Sequence, residues 1–225
     1  MLTGFRRNLM DLYLARHGQS VRNVDGQFYG SLDPHLTPLG QRQAQALGQA
    51  LSGKRIDRLV TSRMQRTQET AQIIADSLKA ENGFQAFPWT QEADLNERDL
   101  GVWEGKTAQE IEAMDPKTWW EYIDQPFLTT PAGAESYFAF RDRVLRALLS
   151  VFSSASDEGS YFLLGHHGWL RLLVSRLLNL DVKYFDCHFT QGKIYRYSIA
   201  QALFLDRLVE AIEEGDERCQ NMVEI

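Results

Sequence analysis

Three short apolar runs in this chain end in side chains suited to phosphoryl chemistry. Asp11–Ala15 leads into Arg16 and His17, Arg58–Thr61 into Ser62 and Arg66, and Tyr161–Leu164 into Gly165, His166 and His167. A phosphate monoester asks three things of a protein: positive groups around its equatorial oxygens, a nucleophile in line with the leaving oxygen, and an acid for that oxygen. Arginine suits the first, because its planar fork pairs with two phosphate oxygens and keeps its charge. Arg16 and Arg66 are the natural candidates, with Arg22 as a third. A neutral histidine can attack phosphorus and carry the phosphoryl group. A second, protonated histidine can stabilise the developing charge, and a carboxylic acid can protonate the leaving alcohol and later activate water.

The elements that must hold these groups are readable from periodicity. The three apolar runs read as buried strands. Thr37 and Pro38 read as the N-cap and first residue of a helix that carries Ala44, Leu47 and Leu51 on one face. Ser62, with Gln65 three residues on, reads as a capping box whose helix is striped by Met64, Thr67, Ala71, Ile74 and Leu78; on this reading Ser62 is a helix cap. A short strand is expected near Phe84–Trp89, and short helices over 107–124, broken at Pro116. A longer helix is marked by Phe140, Val144, Leu148 and Val151, and another by Leu170, Leu173, Val174 and Leu177. Lys193–Ile199 reads as a last strand and 201–214 as a final helix. Strands alternating with helices predict an α/β three-layer sandwich, a mostly parallel central sheet with helices on both faces. Such sheets bind ligands beyond the carboxyl ends of their strands, which is where the histidines and arginines fall.

The chain has 225 residues, 44% of them hydrophobic, enough for one sizeable core. A single domain over 1–225 is expected, with the chemistry in 12–171, a strand and helix in 193–214, and an acidic tail from Glu210 through Glu217 and on to 225. A net charge of −6 argues against nucleic acid and anionic membranes as partners, so a small anionic substrate must be held by a local basic cluster. The two cysteines, Cys187 and Cys219, have no metal-type spacing and fit a reducing, cytoplasmic compartment. No apolar run reaches the 18 residues of a membrane helix, and Met1–Asn8 lacks the apolar stretch of a signal peptide. The oligomeric state is not readable.

The ordered segments resemble a known family. Arg16-His17-Gly18-Gln19-Ser20-Val21-Arg22-Asn23 is similar to the arginine-histidine-glycine signature of the histidine phosphatase superfamily, which includes cofactor-dependent phosphoglycerate mutases. Phe28-Tyr29-Gly30-Ser31-Leu32-Asp33 with Leu36–Gly40 looks like its next segment, and Ser62–Ala71 like its second arginine block. Leu95-Asn96-Glu97-Arg98 through Gly105 looks like its acid loop, and Pro131–Ser136 like its Gly-Glu-Ser turn, with Ala134 inserted or substituted. Gly165–Arg171 resembles its second-histidine block. The resemblance implies that His17 is phosphorylated, that Glu97 is the proton donor, and that Arg16, Asn23, Arg66 and His166 line the phosphate pocket. It implies no metal and no cofactor. Arg22, Tyr29, Gly30 and His167 are further substrate-binding candidates.

One departure leaves the second histidine open. The family pattern has glycine after it, and here His167 stands there. Aligning the His-Gly pair makes His167 the pocket residue. Keeping the spacing to Arg171, and the position directly after the strand, favours His166. The acid loop reads Asp99-Leu100-Gly101 and Trp103-Glu104-Gly105, which looks like the phosphatase branch rather than the mutase pattern. The expected activity is hydrolysis of a small phosphorylated metabolite through phosphohistidine, in a metal-independent enzyme of the histidine acid phosphatase type. The alternatives are a phosphoglycerate mutase and a non-catalytic phospho-ligand-binding domain. Asp99 and Glu104 read as surface charges, and Trp119, Trp120 and Tyr122 as core. Residues 23–36 and 105–136 are expected at the lips of the cleft.

Overall fold

The computed structural model describes residues 8–82 and 87–214. The chain runs β1 (Met10–Arg16), α1 (Val21–Val24), α2 (Pro38–Leu51), β2 (Arg58–Ser62), α3 (Gln65–Asn82), β3 (Trp89–Glu92), α4 (Ala108–Met114), α5 (Pro116–Asp124), α6 (Tyr137–Phe152), β4 (Ser160–Gly165), α7 (His167–Leu173), β5 (Tyr195–Ile199) and α8 (Gln201–Glu213). Among the described residues the strands form one sheet in the order β3-β2-β4-β1-β5. Its pairings are parallel except that of β1 with the edge strand β5.

Alternation along the strands decides which helices cover which face. Leu12, Leu14, Val60, Tyr161 and Leu163 join one core with residues of α6, α7 and α8, such as Val144, Leu170 and Phe204. Their neighbours Tyr13, Ala15, Leu59, Phe162 and Leu164 point the other way, onto Leu47 and Leu51 of α2 and Ala71, Ile74 and Leu78 of α3. The three-layer sandwich follows. Each of the buried leucines contributes about 1.5–3 kcal/mol by leaving water. A separate cluster of Trp103, Ile111 and Trp119, with Tyr122 of α5 packed on it, holds α4 and α5 against Phe28 and Leu100.

Several local expectations shift. The third strand lies at Trp89–Glu92, beyond the expected Phe84–Trp89, where residues 83–86 lie outside those described. Trp89 starts it by pairing with Leu59 of β2. Ser62 does not cap Gln65: the amides of Gln65 and Arg66 donate to the Asp33 carboxylate, which suits the positive end of α3. After α7 the helix continues as a π-helical segment, Val174–Leu178. Pro116 does divide two helices, as the first residue of α5. The acidic stretch from Glu210 is helical through Glu213, anchored by Leu208 and Ala211, and residues 215–225 lie outside those described, as do residues 1–7. Trp119 is core, but Trp120 on the same helix is 57% exposed. No helix among the described residues is long and apolar enough to cross a membrane.

Candidate active site

The parallel pairing of β1 with β4 sets Arg16 opposite Gly165, and the His17 amide donates to the Gly165 carbonyl (2.9 Å). The residues that leave these two strand ends are His17 and His166. Their rings meet with centroids 5.3 Å apart, tilted by 56°. Both are almost fully buried. Strand register thus assigns the second histidine: His166 faces His17, while His167 opens α7 and lines the adjoining cavity.

Nδ1 of His17 lies 2.7 Å from the Gly18 carbonyl. A carbonyl only accepts, so Nδ1 carries the proton and Nε2 keeps its lone pair. Gly18 is held by its own amide, which donates to Thr70, and a Cβ there would stand 2.4 Å from the Gly40 carbonyl oxygen. Burial, then Arg16 and Arg66, push the His17 pKa well below its ordinary value. Burial, then Arg66 and His17, do the same to His166. Both effects favour the neutral form of each ring. A positive imidazole costs too much beside two guanidiniums in a buried site. His167 is drawn to about 3, by burial first and then by Arg16 and Arg171.

Arg66 is 1% exposed and reaches out of α3 into the loop before α2. It donates to the carbonyls of Leu32 (2.8 Å) and Gly30 (3.0 Å), pairs with Asp33 (3.2 Å), and stacks over the Tyr29 ring (5.0 Å). Tyr29 also hydrogen-bonds Arg16 and Ser20, so one phenol ties the two arginines together. Burial lowers the Arg16 pKa, and it remains a cation. The loop itself hangs on Glu104, which accepts from the amides of Gly30 (2.8 Å), Ser31 (2.9 Å), Leu32 (3.2 Å) and Leu100 (2.9 Å). Glu104 is thus a structural clamp rather than a surface charge.

Glu97 lines the cavity, with one oxygen accepting from its neighbour Arg98 (3.0 Å) and the other from the Gly168 amide (2.9 Å). A Cβ at Gly168 would stand 2.4 Å from Glu97 Oε1, so the glycine is what lets the acid lie against α7. The Ser62 hydroxyl lies 2.8 Å from His166 Nε2 and 2.7 Å from Thr67 Oγ1. The sequence reading missed Ser62 as a partner of the second histidine, because a serine before a helix looks like a cap.

The cavity beside these groups measures about 400 Å³, within the range of small-ligand pockets. Arg16, Asn23, Tyr29, Glu97 and His167 line it, while His17, Arg66 and His166 are almost fully buried. Asn23 accepts from Ser20 (3.1 Å to its amide) and from Gln191 (2.9 Å), capping α1 at the rim. Arg22 donates to Gln27 (2.7 Å) and is not among the lining residues, and Gly30 acts through its backbone on Arg66 and Glu104. The expected lips hold in part: Gln27, Phe28, Tyr122 and Phe127 line the cavity, and so do Arg98, Arg171, Tyr184 and Phe185, which sequence reasoning left out. Among the described residues no group of three or more His, Cys, Asp and Glu side chains is placed to hold a metal ion.

Residues 12–205 match the Histidine phosphatase superfamily (branch 1). The chain is 29% identical over 174 residues to an adenosylcobalamin/alpha-ribazole phosphatase of Escherichia coli K12, covering 77% of this chain and 82% of that one. It is 34% identical over 175 residues to a 2,3-bisphosphoglycerate-dependent phosphoglycerate mutase of a Methylobacterium species, covering 76% and 82%. The crystal structure of the alpha-ribazole phosphatase from Shigella flexneri superposes with a TM-score of 0.73 at 25% identity, over 85% of this chain and 94% of that one. With its fold, its paired histidines and this match along most of its length, the chain belongs to the histidine phosphatase superfamily.

Proposed function

We propose that the protein is a phosphomonoester hydrolase that works through a phosphohistidine on Nε2 of His17. One observation carries the reading. Seven buried side-chain nitrogens of the described residues have no hydrogen-bond partner, and three of them are Arg16 Nε, Arg66 Nε and His166 Nδ1. Buried polar groups are normally satisfied. Orphaned donors gathered around a histidine with a free Nε2 suit a bound oxyanion that supplies the acceptors.

In this reading Arg16, Arg66 and His166 hold the phosphoryl oxygens, with Asn23 and His167 at the rim. The His17 Nε2 lone pair forms the N–P bond while the P–O ester bond breaks. The leaving oxygen takes its proton from Glu97 and departs as the alcohol. Glu97, now a carboxylate, takes a proton from water as the water oxygen attacks phosphorus. The N–P bond breaks, its electron pair returns to Nε2, and phosphate leaves. The charge is met by guanidinium groups already in place, so the reading includes metal independence and the histidine acid phosphatase type of chemistry. It also includes a small phosphorylated metabolite as substrate and a reducing, cytoplasmic setting, the latter supported by the sparse cysteines.

Acid-quench trapping of labelled phosphate on the wild-type protein tests this, with loss of the label in His17→Ala and turnover that survives EDTA. A folded protein inert across sugar phosphates, nucleotides and phosphoamino acids sinks it. A mutase is the second reading, favoured by the identity to the Methylobacterium relative. Interconversion of phosphoglycerates stimulated by 2,3-bisphosphoglycerate is its signature.

A further inference from the structure

The cavity carries more positive charge than one phosphate uses. Arg98 and Arg171 both line it, and among the described residues neither has a carboxylate within ion-pair distance. Arg98 Nε donates to the Glu135 carbonyl (2.8 Å) and Arg171 Nε to the Cys187 carbonyl (2.9 Å). Arg98 is 8% exposed, and its Nη2 is buried with no hydrogen-bond partner. Arg171 lies over the rings of Tyr184 (5.7 Å) and Phe185 (5.6 Å), which fix the guanidinium without neutralising it. Both cations line the cavity with Tyr122 and oppose the burial that raises its pKa, while Glu97 adds to it.

Two other inward arginines have carboxylate partners: Arg66 pairs with Asp33 and Arg143 with Glu135. Buried charge without a partner is costly, and removing it from water is offset only by an opposite charge or a full set of hydrogen bonds. Glu97 is the one acidic residue lining the cavity among those described, and its two oxygens are turned to backbone amides. An anion on the ligand is the remaining partner.

We propose that Arg98 and Arg171 form a second oxyanion subsite that selects phosphomonoesters whose leaving group carries its own carboxylate or a second phosphate that is not transferred. Phe28, Tyr122 and Tyr184 supply apolar walls for the carbon part between the two anions. The inference rests on the hydrolase reading above.

Three aryl phosphates test it: 4-carboxyphenyl phosphate, its neutral isostere 4-carbamoylphenyl phosphate, and 4-phosphonophenyl phosphate. The expected kcat/KM is at least about tenfold higher for one or both anionic compounds than for the carbamoyl compound, carried mainly in KM. The carboxylate and phosphonate arms show which oxyanion is preferred. In Arg171→Gln and Arg98→Gln the anionic-to-neutral ratio falls towards one. Equal kcat/KM for all three compounds in the wild type overturns the subsite while leaving the hydrolase reading intact. An unchanged ratio in both variants overturns it too. Absence of turnover on all three overturns the subsite, and the hydrolase reading falls with it only if sugar phosphates, nucleotides and phosphoamino acids are inert too. The wild-type ratio decides even if Arg98→Gln fails to fold.

Discussion

The hydroxyl of Ser62 at the end of β2 lies 2.8 Å from Nε2 of His166 at the end of β4. The Thr67 hydroxyl lies 2.7 Å from Ser62 Oγ, and a relay in which Thr67 donates to Ser62 leaves the Ser62 proton for the imidazole. With Ser62 donating to Nε2, the proton of His166 sits on Nδ1, the orphaned nitrogen. The neutral ring then offers phosphate a donor.

Ser62→Ala should therefore act through His166. Its Nε2 is left buried without a partner, costing about 1–3 kcal/mol of stability, and the ring is free to take the other tautomer. The expected fall in kcat is roughly tenfold or more, with Ser62→Thr restoring most of it. Steady-state kinetics beside urea unfolding separate the two effects. A variant that loses stability but keeps kcat marks Ser62 as structural only.

Gly168→Ala is expected to displace Glu97, because the new Cβ would meet Oε1 at 2.4 Å. Alanine normally favours a helix over glycine by about 1 kcal/mol, so a gain in stability is the ordinary outcome here. Loss of the acid should slow alkyl phosphates by about 100-fold and 4-nitrophenyl phosphate far less, since a good leaving group needs no proton. Equal slowing of both substrate types would falsify the assignment of Glu97.

Glu104→Gln should loosen Arg66. Glu104 holds the amides of residues 30 to 32, and the carbonyls of Gly30 and Leu32 hold the Arg66 guanidinium. An amide keeps one acceptor oxygen and turns a donor towards N–H groups. A fall in kcat/KM of about tenfold is expected, with weaker inhibition by inorganic phosphate. Wild-type phosphate affinity in this variant would detach the clamp from the site.

Stability should fall on acidification. His17 and His166 titrate well below 6.5 when folded, with burial the main cause, and near 6.5 when unfolded. Above pH 6.5 both states are neutral and stability is full. Below it the unfolded chain takes up protons that the fold refuses, so the two rings remove up to about 2.7 kcal/mol per pH unit. His167, at about 3, adds to the same limb. Urea midpoints from pH 7.5 to 5 measure the slope, and His166→Asn should reduce it. A flat profile means that the two rings take up protons alike in the folded and unfolded chain, and stability rising on acidification means that they are charged in the fold. The acid limb of kcat/KM should likewise fall well below pH 6.5, since neutral His17 persists there.

By itself the sequence determined the α/β sandwich, the order of its strands and helices, and the residue types able to hold and attack a phosphate. Those follow from local pattern: apolar runs for strands, a 3.6-residue stripe for helices, and charge at strand ends. Asp11–Ala15 and Tyr161–Leu164 were readable as buried strands because both faces are covered by helices. Only the tertiary structure decided which histidine faces His17. His166 and His167 are adjacent and chemically alike, and the choice between them comes from the register that sets Arg16 against Gly165. The same holds for Ser62, Glu104 and Asp33, whose partners are 104, about 73 and 32 residues away in the chain. Spacing in sequence carries no signal at such separations. The charge states also belong to the fold, because burial beside Arg16 and Arg66 is what keeps His17 and His166 neutral.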